Sequence, residues 1–289
     1  MTTFVAFATT DREIYHRTFA EVKTSVLQSI FFLGSLLLPG CDLIDVHPYD
    51  ADIDGACDIN AQNIQRIEER CAGRNEIRIA VISDTQRWYD ETEDEVNHIN
   101  SRGDIDFVIH CGDLTDFSVT KEFEWMRREL EKFTVPYVVL LGNHDCLGNG
   151  LDLFRKIYGA EDFSFTAGDT HFVCLNTNGL EFGNNVPDFQ FISNDRANVP
   201  ATVRRTVAAM HCKPNSDQFY GENTVKFHEE MKKYPSLQFC LCGHYHSTKV
   251  EYPFDDGIPY YQCAAAKNRE YLIITLTKEG GIDYEVATY

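Results

Sequence analysis

The fold is decided by one short stretch, which reads Val108-Ile109-His110-Cys111-Gly112-Asp113-Leu114-Thr115-Asp116. Its apolar first half predicts a buried strand, and the Gly-Asp pair predicts a sharp turn that presents a carboxylate. Open α/β folds place their binding sites at this carboxyl edge of the sheet. Asp113 is therefore the first candidate site residue of the chain.

Four further apolar runs, at 77–82, 136–141, 205–210 and 237–242, are also followed at once by polar side chains. Together with Asp113, these runs give the candidate set Asp84, Asn143, His211, His244 and His246. Carboxylates, amide oxygens and imidazoles suit divalent metals such as Mn²⁺, Fe²⁺, Co²⁺ or Zn²⁺. The set needs no cysteine, which argues against a structural zinc knuckle.

The order of the elements predicts the fold class. In the first half, strands alternate with helical patterns at 91–101 and 121–132, and this rhythm predicts parallel pairing. The second half begins with a predicted hairpin around Gly168-Asp169 and ends with three strands after residue 259. We therefore expect an α/β fold in which two sheets pack face to face, with helices outside.

The N-terminal 40 residues are similar to a signal peptide. The apolar run at 26–38 is short for a membrane span but suits a signal-peptide core. It leads into Leu38-Pro39-Gly40-Cys41, which resembles the lipobox of bacterial lipoproteins with Cys41 as the lipidated residue. This interpretation predicts a lipid-anchored protein of the bacterial cell envelope. The alternative is a buried hydrophobic helix with an incidental cysteine, in a cytoplasmic protein.

Composition limits the organisation and the partners of the chain. Its 289 residues, 43% of them hydrophobic, suit one large domain with small appendages. We expect a linker or N-terminal extension at 41–74 and the catalytic domain at 75–289. The net charge of −19 would repel a nucleic-acid duplex, whereas a small anionic substrate could still bind beside cations. Most of the ten cysteines lie in strand-like runs, which predicts buried thiols, typical of a reducing compartment, rather than a disulfide framework.

Taken together, the motifs resemble those of the calcineurin-like metallophosphoesterases. Five blocks occur in the family's order over roughly residues 77–289: Asp84-Thr85-Gln86, Gly112-Asp113-Leu114-Thr115-Asp116, Gly142-Asn143-His144-Asp145, His211 and Gly243-His244-Tyr245-His246. The resemblance implies a four-layer α/β/β/α sandwich of two mixed β-sheets flanked by helices. It also implies hydrolysis of a small phosphoester, which could be a phosphomonoester, a phosphodiester or nucleotide, or a phospholipid headgroup.

The resemblance further implies a centre of two divalent metal ions. The ions could be Mn²⁺, Fe²⁺ or Fe³⁺, Zn²⁺, Co²⁺ or Ni²⁺. One ion would be held by Asp84, Asp113 and His246, with Gln86 nearby. The other would be held by Asp113, Asn143, His211 and His244. Asp113 would bridge the two ions, and a hydroxide shared between them would attack phosphorus in line with the leaving oxygen.

Three further residues receive roles from the same resemblance. His144 would protonate the leaving group or stabilise the transition state, and Asp116 would accept a hydrogen bond from it. Gln86 stands where the family usually has histidine, and an amide oxygen is a weaker ligand for these metals. The rival interpretation is therefore a metal-binding envelope protein with weak or lost catalysis. Phe117 replaces the arginine of the Ser/Thr protein phosphatases, which argues against that branch.

Overall fold

Two β-sheets form the framework of residues 51–289, which are the residues that the computed structural model describes. The strands are β1 (Ile77–Ile82), β2 (Phe107–His110), β3 (Tyr137–Val139), β4 (Phe163–Ala167), β5 (Thr170–Leu175), β6 (Arg205–Met210), β7 (Leu237–Cys242), β8 (Lys249–Glu251), β9 (Tyr260–Gln262), β10 (Glu270–Leu276) and β11 (Ile282–Thr288). The predicted signal segment and Cys41 lie outside the described residues.

Six α-helices connect or flank these strands. They are α1 (Ile59–Cys71), α2 (Tyr89–Arg102), α3 (Thr120–Leu130), α4 (Gly150–Ile157), α5 (Phe189–Asn198) and α6 (Glu222–Met231). Two short 3-10 turns, His144–Cys146 and Ala266–Asn268, complete the described elements. Within the part of the chain that the structure describes, no helix is both long and apolar enough to cross a membrane.

The first sheet has the strand order β11-β10-β1-β2-β3. Strands β1, β2 and β3 are parallel, so their carboxyl ends lie at one edge, as the alternation of strands and helices predicts. The C-terminal strand β10 pairs antiparallel with β1, and β11 pairs antiparallel with β10. This arrangement makes the first sheet mixed and carries the end of the chain back to its centre.

The second sheet has the order β4-β5-β6-β7-β9-β8. Its central strands β5, β6, β7 and β9 are parallel to one another, and the outer strands β4 and β8 pair antiparallel with β5 and β9. Strands β5 and β6 are buried along their whole lengths, which explains why their sequences are apolar runs without alternation. The hairpin predicted around Gly168-Asp169 is the pair β4 and β5.

Three apolar clusters separate the layers. The cluster between the sheets includes Ile79, Val81 and Ile109 from the first sheet and Phe172, Val207 and Leu241 from the second. A second cluster joins the outer face of the first sheet to α2, α3 and α4, and a third joins the outer face of the second sheet to α5 and α6. The structure is thus the predicted four-layer α/β/β/α sandwich, with two mixed sheets flanked by helices.

Helix α1, from the predicted N-terminal extension, closes one side of the sandwich. Its Ile67 and Cys71 belong to the cluster between the sheets. The Asn60 side chain donates to the Val139 carbonyl at 2.8 Å and accepts from the Val139 N–H at 2.9 Å. These bonds satisfy the free edge of β3, where unpaired backbone groups would otherwise invite another strand.

Helix α4 and strand β8 are the two elements that the sequence did not predict. Helix α4 has only eight residues, although Leu153, Phe154 and Ile157 form its buried face. Strand β8 has three residues, none of which is buried, so its sequence lacks an apolar pattern. Both elements are too short for periodicity to identify them.

Candidate metal centre

The candidate ligands lie on the loops that follow the parallel strands, where the two sheets meet. The loops after β1 and β2 are joined by backbone hydrogen bonds from Asp84 N–H to the Gly112 carbonyl and from Gln86 N–H to the Asp113 carbonyl, at 3.0 and 3.2 Å. The two sheets are joined by the His244 N–H, which donates to Asp84 Oδ2 at 3.0 Å. The carboxyl edges of the two sheets therefore form one site.

Strained backbone is concentrated on these loops. Five non-glycine residues of the site have φ between 54° and 73°, in the left-handed region: Asp84, Arg87, Asp113, His244 and His246. Such conformations cost about 1–3 kcal/mol each and persist where the surrounding structure enforces them, which is common at functional sites. Four of these five residues are predicted metal ligands.

Two glycines allow the loops to approach each other. A Cβ atom at Gly142 would collide with the backbone N and the side chain of Asp113. A Cβ atom at Gly243 would collide with the Ser83 hydroxyl and would lie 2.8 Å from Asp84 Oδ2. The glycines of the Gly-Asn-His-Asp and Gly-His-Tyr-His blocks are thus required by the close packing of ligand-bearing loops.

Asn143, His211 and His244, here called the Asn143 cluster, form a closely connected group. Asn143 Oδ1 lies 3.1 Å from His211 Nε2 and 3.1 Å from His244 Nδ1. The opposite ring nitrogens are also engaged, since His211 Nδ1 lies 2.7 Å from the Cys111 carbonyl and His244 Nε2 lies 2.9 Å from Asp217 Oδ1. Partners of this kind orient the rings of metal-binding histidines.

Asp84, Gln86 and His246, here called the Gln86 cluster, are less connected. His246 Nε2 lies 3.2 Å from Asp84 Oδ1 without forming a hydrogen bond, and that oxygen has no hydrogen-bond partner among the described residues. Gln86 Oε1 is buried and equally without a partner in the described chain. The Asp84 side chain is fully buried, whereas that of His246 is 35% exposed.

Asp113 lies between the two clusters. Its Oδ2 is 3.3 Å from His211 Nε2 and 3.4 Å from Gln86 Nε2, and its Oδ1 accepts from the His144 N–H at 2.9 Å. Burial alone would raise the pKa of Asp113, but His211 and His144 outweigh it and the pKa is lowered. Burial lowers the pKa of His211, but the Asp113 charge reverses this and raises it to about 10. Asp113 is thus negatively charged and His211 carries a proton, and a bound metal ion would take the place of that proton.

Asp145 is a functional residue whose importance the sequence understated. Its buried carboxylate accepts hydrogen bonds from the N–H groups of Gly142, Asp113, Leu114 and Thr115, at 2.9–3.2 Å. Burial and the Asp113 charge raise the pKa of Asp145 to about 7. Asp145 therefore fixes the turns that carry Asp113 and Asn143. The only signal for this role was its place at the end of the Gly-Asn-His-Asp block.

His144 has its expected neighbour, although the contact differs from the expectation. His144 Nδ1 lies 3.0 Å from the backbone carbonyl of Asp116, whereas the Asp116 carboxylate is 3.9 Å away. That carboxylate forms an ion pair with Arg87, a residue that no sequence motif marks. A carbonyl oxygen can only accept a hydrogen bond, so this contact places the proton of a neutral His144 on Nδ1 and leaves Nε2 for other chemistry.

The cysteines beside the site are packed in the interior. All nine cysteines of the described residues have free thiols, and seven of them are buried. Cys212 forms a group with His211 and His244 in which the possible ligand atoms lie within 4.8 Å of one another. Burial raises the pKa of Cys212 well above its usual value, so the thiol is a poor ligand beside carboxylates and imidazoles.

The residues present fit a group of divalent cations. Asp84, Asp113 and His211 bring possible ligand atoms within 4.8 Å of one another, and all three are buried. The unpartnered Asp84 Oδ1 and Gln86 Oε1 are buried oxygens, which ordinarily require a partner. Oxygen and imidazole ligands without a thiolate are the donor set for Mn²⁺, Fe²⁺, Co²⁺, Ni²⁺ or Zn²⁺.

Comparison with known proteins identifies the class to which this fold and site belong. The model of the calcineurin-like phosphoesterases matches residues 77–248, and the chain belongs to this family. The match includes every predicted metal ligand together with His144 and Asp116. The family is named for the hydrolysis of phosphoesters.

Solved structures share the fold at low sequence identity. A dimetal phosphatase from Danio rerio superposes with a TM-score of 0.52 at 12% identity, covering 74% of this chain and 99% of that one. A purple acid phosphatase from yellow lupin gives a TM-score of 0.53 at 14% identity, covering 75% and 55%. GAP50, the anchor in the inner membrane complex of Plasmodium, gives 0.55 at 10% identity, covering 74% and 85%.

One curated relative is the uncharacterized protein YvnB of Bacillus subtilis. The two sequences are 25% identical over 208 residues, which is 61% of this chain and 16% of YvnB. The chain therefore spans only a small part of the length of that relative.

Proposed function

We propose that the protein hydrolyses small phosphoesters at two divalent metal ions that share Asp113. The Asn143 cluster would hold one ion and the Gln86 cluster the other. The observation that carries the proposal is the convergence of these side chains from four strand ends around the buried carboxylate of Asp113, which follows a fifth strand. A single atom, His211 Nε2, lies within 3.3 Å of both Asn143 Oδ1 and Asp113 Oδ2.

The side chains divide the work of such a reaction. When bound, the two ions would supply Lewis acidity for the phosphoryl oxygens and an activated water for in-line attack. His144 would give a proton to the leaving oxygen from Nε2 when its ring is charged, while the Asp116 carbonyl holds Nδ1. Burial lowers the pKa of His144, but this carbonyl and nearby carboxylates outweigh it and raise the pKa, which favours the charged form.

The charge of the chain supports a small substrate. With a net charge of −19, long-range attraction of a nucleic-acid duplex is unfavourable. Bound cations would locally reverse this field and attract a phosphate group. The choice among phosphomonoester, phosphodiester or nucleotide, and phospholipid headgroup depends on the loops that surround the metal site.

Hydrolysis of chromogenic esters tests the proposal. The purified full chain would be supplied in turn with Mn²⁺, Co²⁺, Ni²⁺, Zn²⁺ and Fe²⁺ and assayed with p-nitrophenyl phosphate and bis-p-nitrophenyl phosphate. We expect metal-dependent release of p-nitrophenol from at least one ester. Metal binding without hydrolysis of either ester by any of these ions would contradict the proposal.

Gln86 is the observation that favours a second candidate, a metal-binding protein with weak or lost catalysis. Its amide Nε2 lies 3.4 Å from Asp113 Oδ2, which places a neutral donor where a stronger ligand would be expected. Under this candidate, Gln86→His would create hydrolysis that the natural chain lacks. Under the proposed function, the natural chain is already active.

We also propose that the chain is anchored by a lipid at Cys41 in a bacterial envelope. The support is the apolar run at 26–38 followed by Leu38-Pro39-Gly40-Cys41. The chain expressed in a bacterium should partition into detergent, and Cys41→Ser should move it to the aqueous phase. Unchanged partitioning of Cys41→Ser would contradict the anchor without affecting the proposed hydrolysis.

A further inference from the structure

Large apolar side chains are exposed on the loops that carry the metal ligands. Of the ten exposed large hydrophobic residues among those described, four lie on loops that carry a predicted ligand, and a fifth, Leu180, lies on the loop after β5. Each of the five follows a different strand, namely β2, β3, β5, β6 and β7. We call these five residues the apolar rim: Phe117, Leu147, Leu180, Tyr220 and Tyr245. Single exposed hydrophobic residues are common on any surface, but these occur on four of the five loops that carry predicted ligands.

Three rim residues are close in sequence to the site itself. Phe117 follows Asp116, whose carbonyl holds His144, and its side chain is 63% exposed. Tyr245 stands between the predicted ligands His244 and His246. Leu147 follows the 3-10 turn His144–Cys146 directly. The Tyr245 ring lies 5.0 Å from the His244 ring, so a group held at the metal site would have this side chain as a neighbour.

The other two rim residues are connected to the site by hydrogen bonds. The Leu180 N–H donates to Gln218 Oε1 at 3.0 Å, and the Gly179 N–H donates to the Gln218 carbonyl at 3.1 Å. Asp217, next to Gln218, contacts His244 Nε2 at 2.9 Å. The loops that carry Leu180 and Tyr220 are thus joined to each other and lie beside a predicted ligand.

The rim is held in its exposed position by side chains from neighbouring segments. Glu122 Oε2 accepts from the Phe117 N–H and Ser118 Oγ accepts from the Leu147 N–H, both at 3.0 Å, as Gln218 does for Leu180. The three acceptors lie on α3, on the loop after β2 and on the loop after β6. The backbone of three of the five rim residues is therefore fixed where their apolar side chains are exposed, as is common at ligand sites.

We infer that the apolar rim binds the organic group of the phosphoester, and that this group is a large apolar alcohol of the alkyl or aryl class. The inference rests on the proposed function, because the phosphate at the metal site is what brings the organic group to the rim. The chain's charge of −19 would oppose contact with an anionic lipid surface. Asp217, 65% exposed beside the rim, adds a local negative charge. A small apolar ester fits these charges better than a membrane does.

Binding of non-hydrolysable phosphonates tests the rim separately from catalysis. Calorimetry on the Mn²⁺-loaded full chain would compare n-hexylphosphonate with ethylphosphonate, which have the same charged group. We expect n-hexylphosphonate to bind roughly tenfold more tightly or better, from burial of its additional methylene groups. Phe117→Ser and Leu180→Ser should each reduce this ratio, whereas Val225→Ser, an exposed control on α6, should not. Equal affinities in the natural chain would overturn the inference.

Hydrolysis of n-hexyl and ethyl phosphate separates the two proposals. Their leaving alkoxides are chemically alike, so a higher kcat/KM for the hexyl ester that falls in Phe117→Ser supports the inference. Hydrolysis of both esters at equal kcat/KM overturns the inference and leaves the proposed function intact. Hydrolysis of neither ester, nor of p-nitrophenyl phosphate or bis-p-nitrophenyl phosphate, together with preferential n-hexylphosphonate binding, overturns the proposed function and supports the rim as a ligand site.

A membrane role for the rim is tested with vesicles. The Cys41→Ser chain, which lacks the predicted anchor, would be floated with phosphatidylcholine vesicles. We expect it to remain unbound. Flotation that Phe117→Ser abolishes and Val225→Ser does not would identify the rim as a membrane-contacting surface and overturn the inference.

Discussion

The Asn143 cluster and the Gln86 cluster each offer three candidate ligands around Asp113, yet they differ in how firmly these ligands are held. In the Asn143 cluster, the Cys111 carbonyl and Asp217 engage the outward ring nitrogens of His211 and His244. The His211 side chain is also fully buried. In the Gln86 cluster, the His246 side chain is 35% exposed. Side chains fixed by partners lose less entropy on binding a metal, so the Asn143 cluster should bind more tightly.

Charge acts against this difference. The His211 imidazole lies against Asp113, and this carboxylate is the one anionic ligand that both clusters would share. Asp84 contributes a second carboxylate to the Gln86 cluster, whereas the Asn143 cluster has a second imidazole instead, and each cluster contains one neutral amide. Gln86, which stands where the family usually has histidine, therefore lies in the cluster whose ligands are held less firmly.

Removal of the Asp113 carboxylate should have the largest effect, because both metal ions would share this ligand. We expect Asp113→Asn to lower turnover by about 10³-fold or more and to reduce the content of both metals. Metal analysis and p-nitrophenyl ester hydrolysis would measure the two quantities. Asp162→Asn is the matched control, because it neutralises another poorly exposed carboxyl group, which accepts from the Asn176 N–H outside the site. Retention of both metals in Asp113→Asn would show that Asp113 does not bridge them.

Removal of His144 should affect turnover without affecting either cluster. The ring of His144 contacts the Asp116 carbonyl rather than a predicted ligand, so His144→Ala should keep its metals while turnover falls by about 10²–10⁴-fold. His98→Ala, which removes a histidine that contacts Tyr271, is the control. Undiminished turnover in His144→Ala would exclude it as the proton donor.

A pair of histidine variants tests the comparison itself. His211→Ala should abolish the tighter metal-binding event, because this ring contacts both Asn143 and Asp113. His246→Ala should leave that event in place and weaken only the looser one. Calorimetric titration with Mn²⁺ would resolve the two events in each variant. If both variants lose the same event, the two-cluster description is wrong.

Strengthening the looser cluster should have the smallest effect. Gln86→His replaces a buried, unpartnered amide oxygen by an imidazole, and we expect the looser Mn²⁺ affinity to rise by about tenfold. The tighter event should not change, which makes it an internal control in the same titration. A change in the tighter event instead would place Gln86 in the other cluster.

The sequence predicted most of the fold because its strands are unusually apolar. Runs such as 77–82, 205–210 and 237–242 coincide with observed strands, since buried parallel strands leave little ambiguity. The sandwich and the set of ligand residues followed from the order of these runs and their polar ends. Helix α4 and strand β8 were missed because they are short, and β8 has no apolar pattern.

The finer arrangement of the site could not be read from the sequence. Spacing brings Asp116 and His144 together but does not say whether a carboxylate or a carbonyl makes the contact, because both are presented by the same turn. Arg87, which pairs with Asp116, has a left-handed backbone conformation with φ of 59° that its sequence does not indicate. The role of Asp145 depends on four N–H groups that converge in three dimensions.

Titration of the metal-free full chain with Mn²⁺ tests the central claim most directly. The account predicts two binding events of unequal affinity, at least about tenfold apart, with a final content of two ions per chain and hydrolysis that appears only as the looser event saturates. A single bound ion that supports full hydrolysis would contradict it.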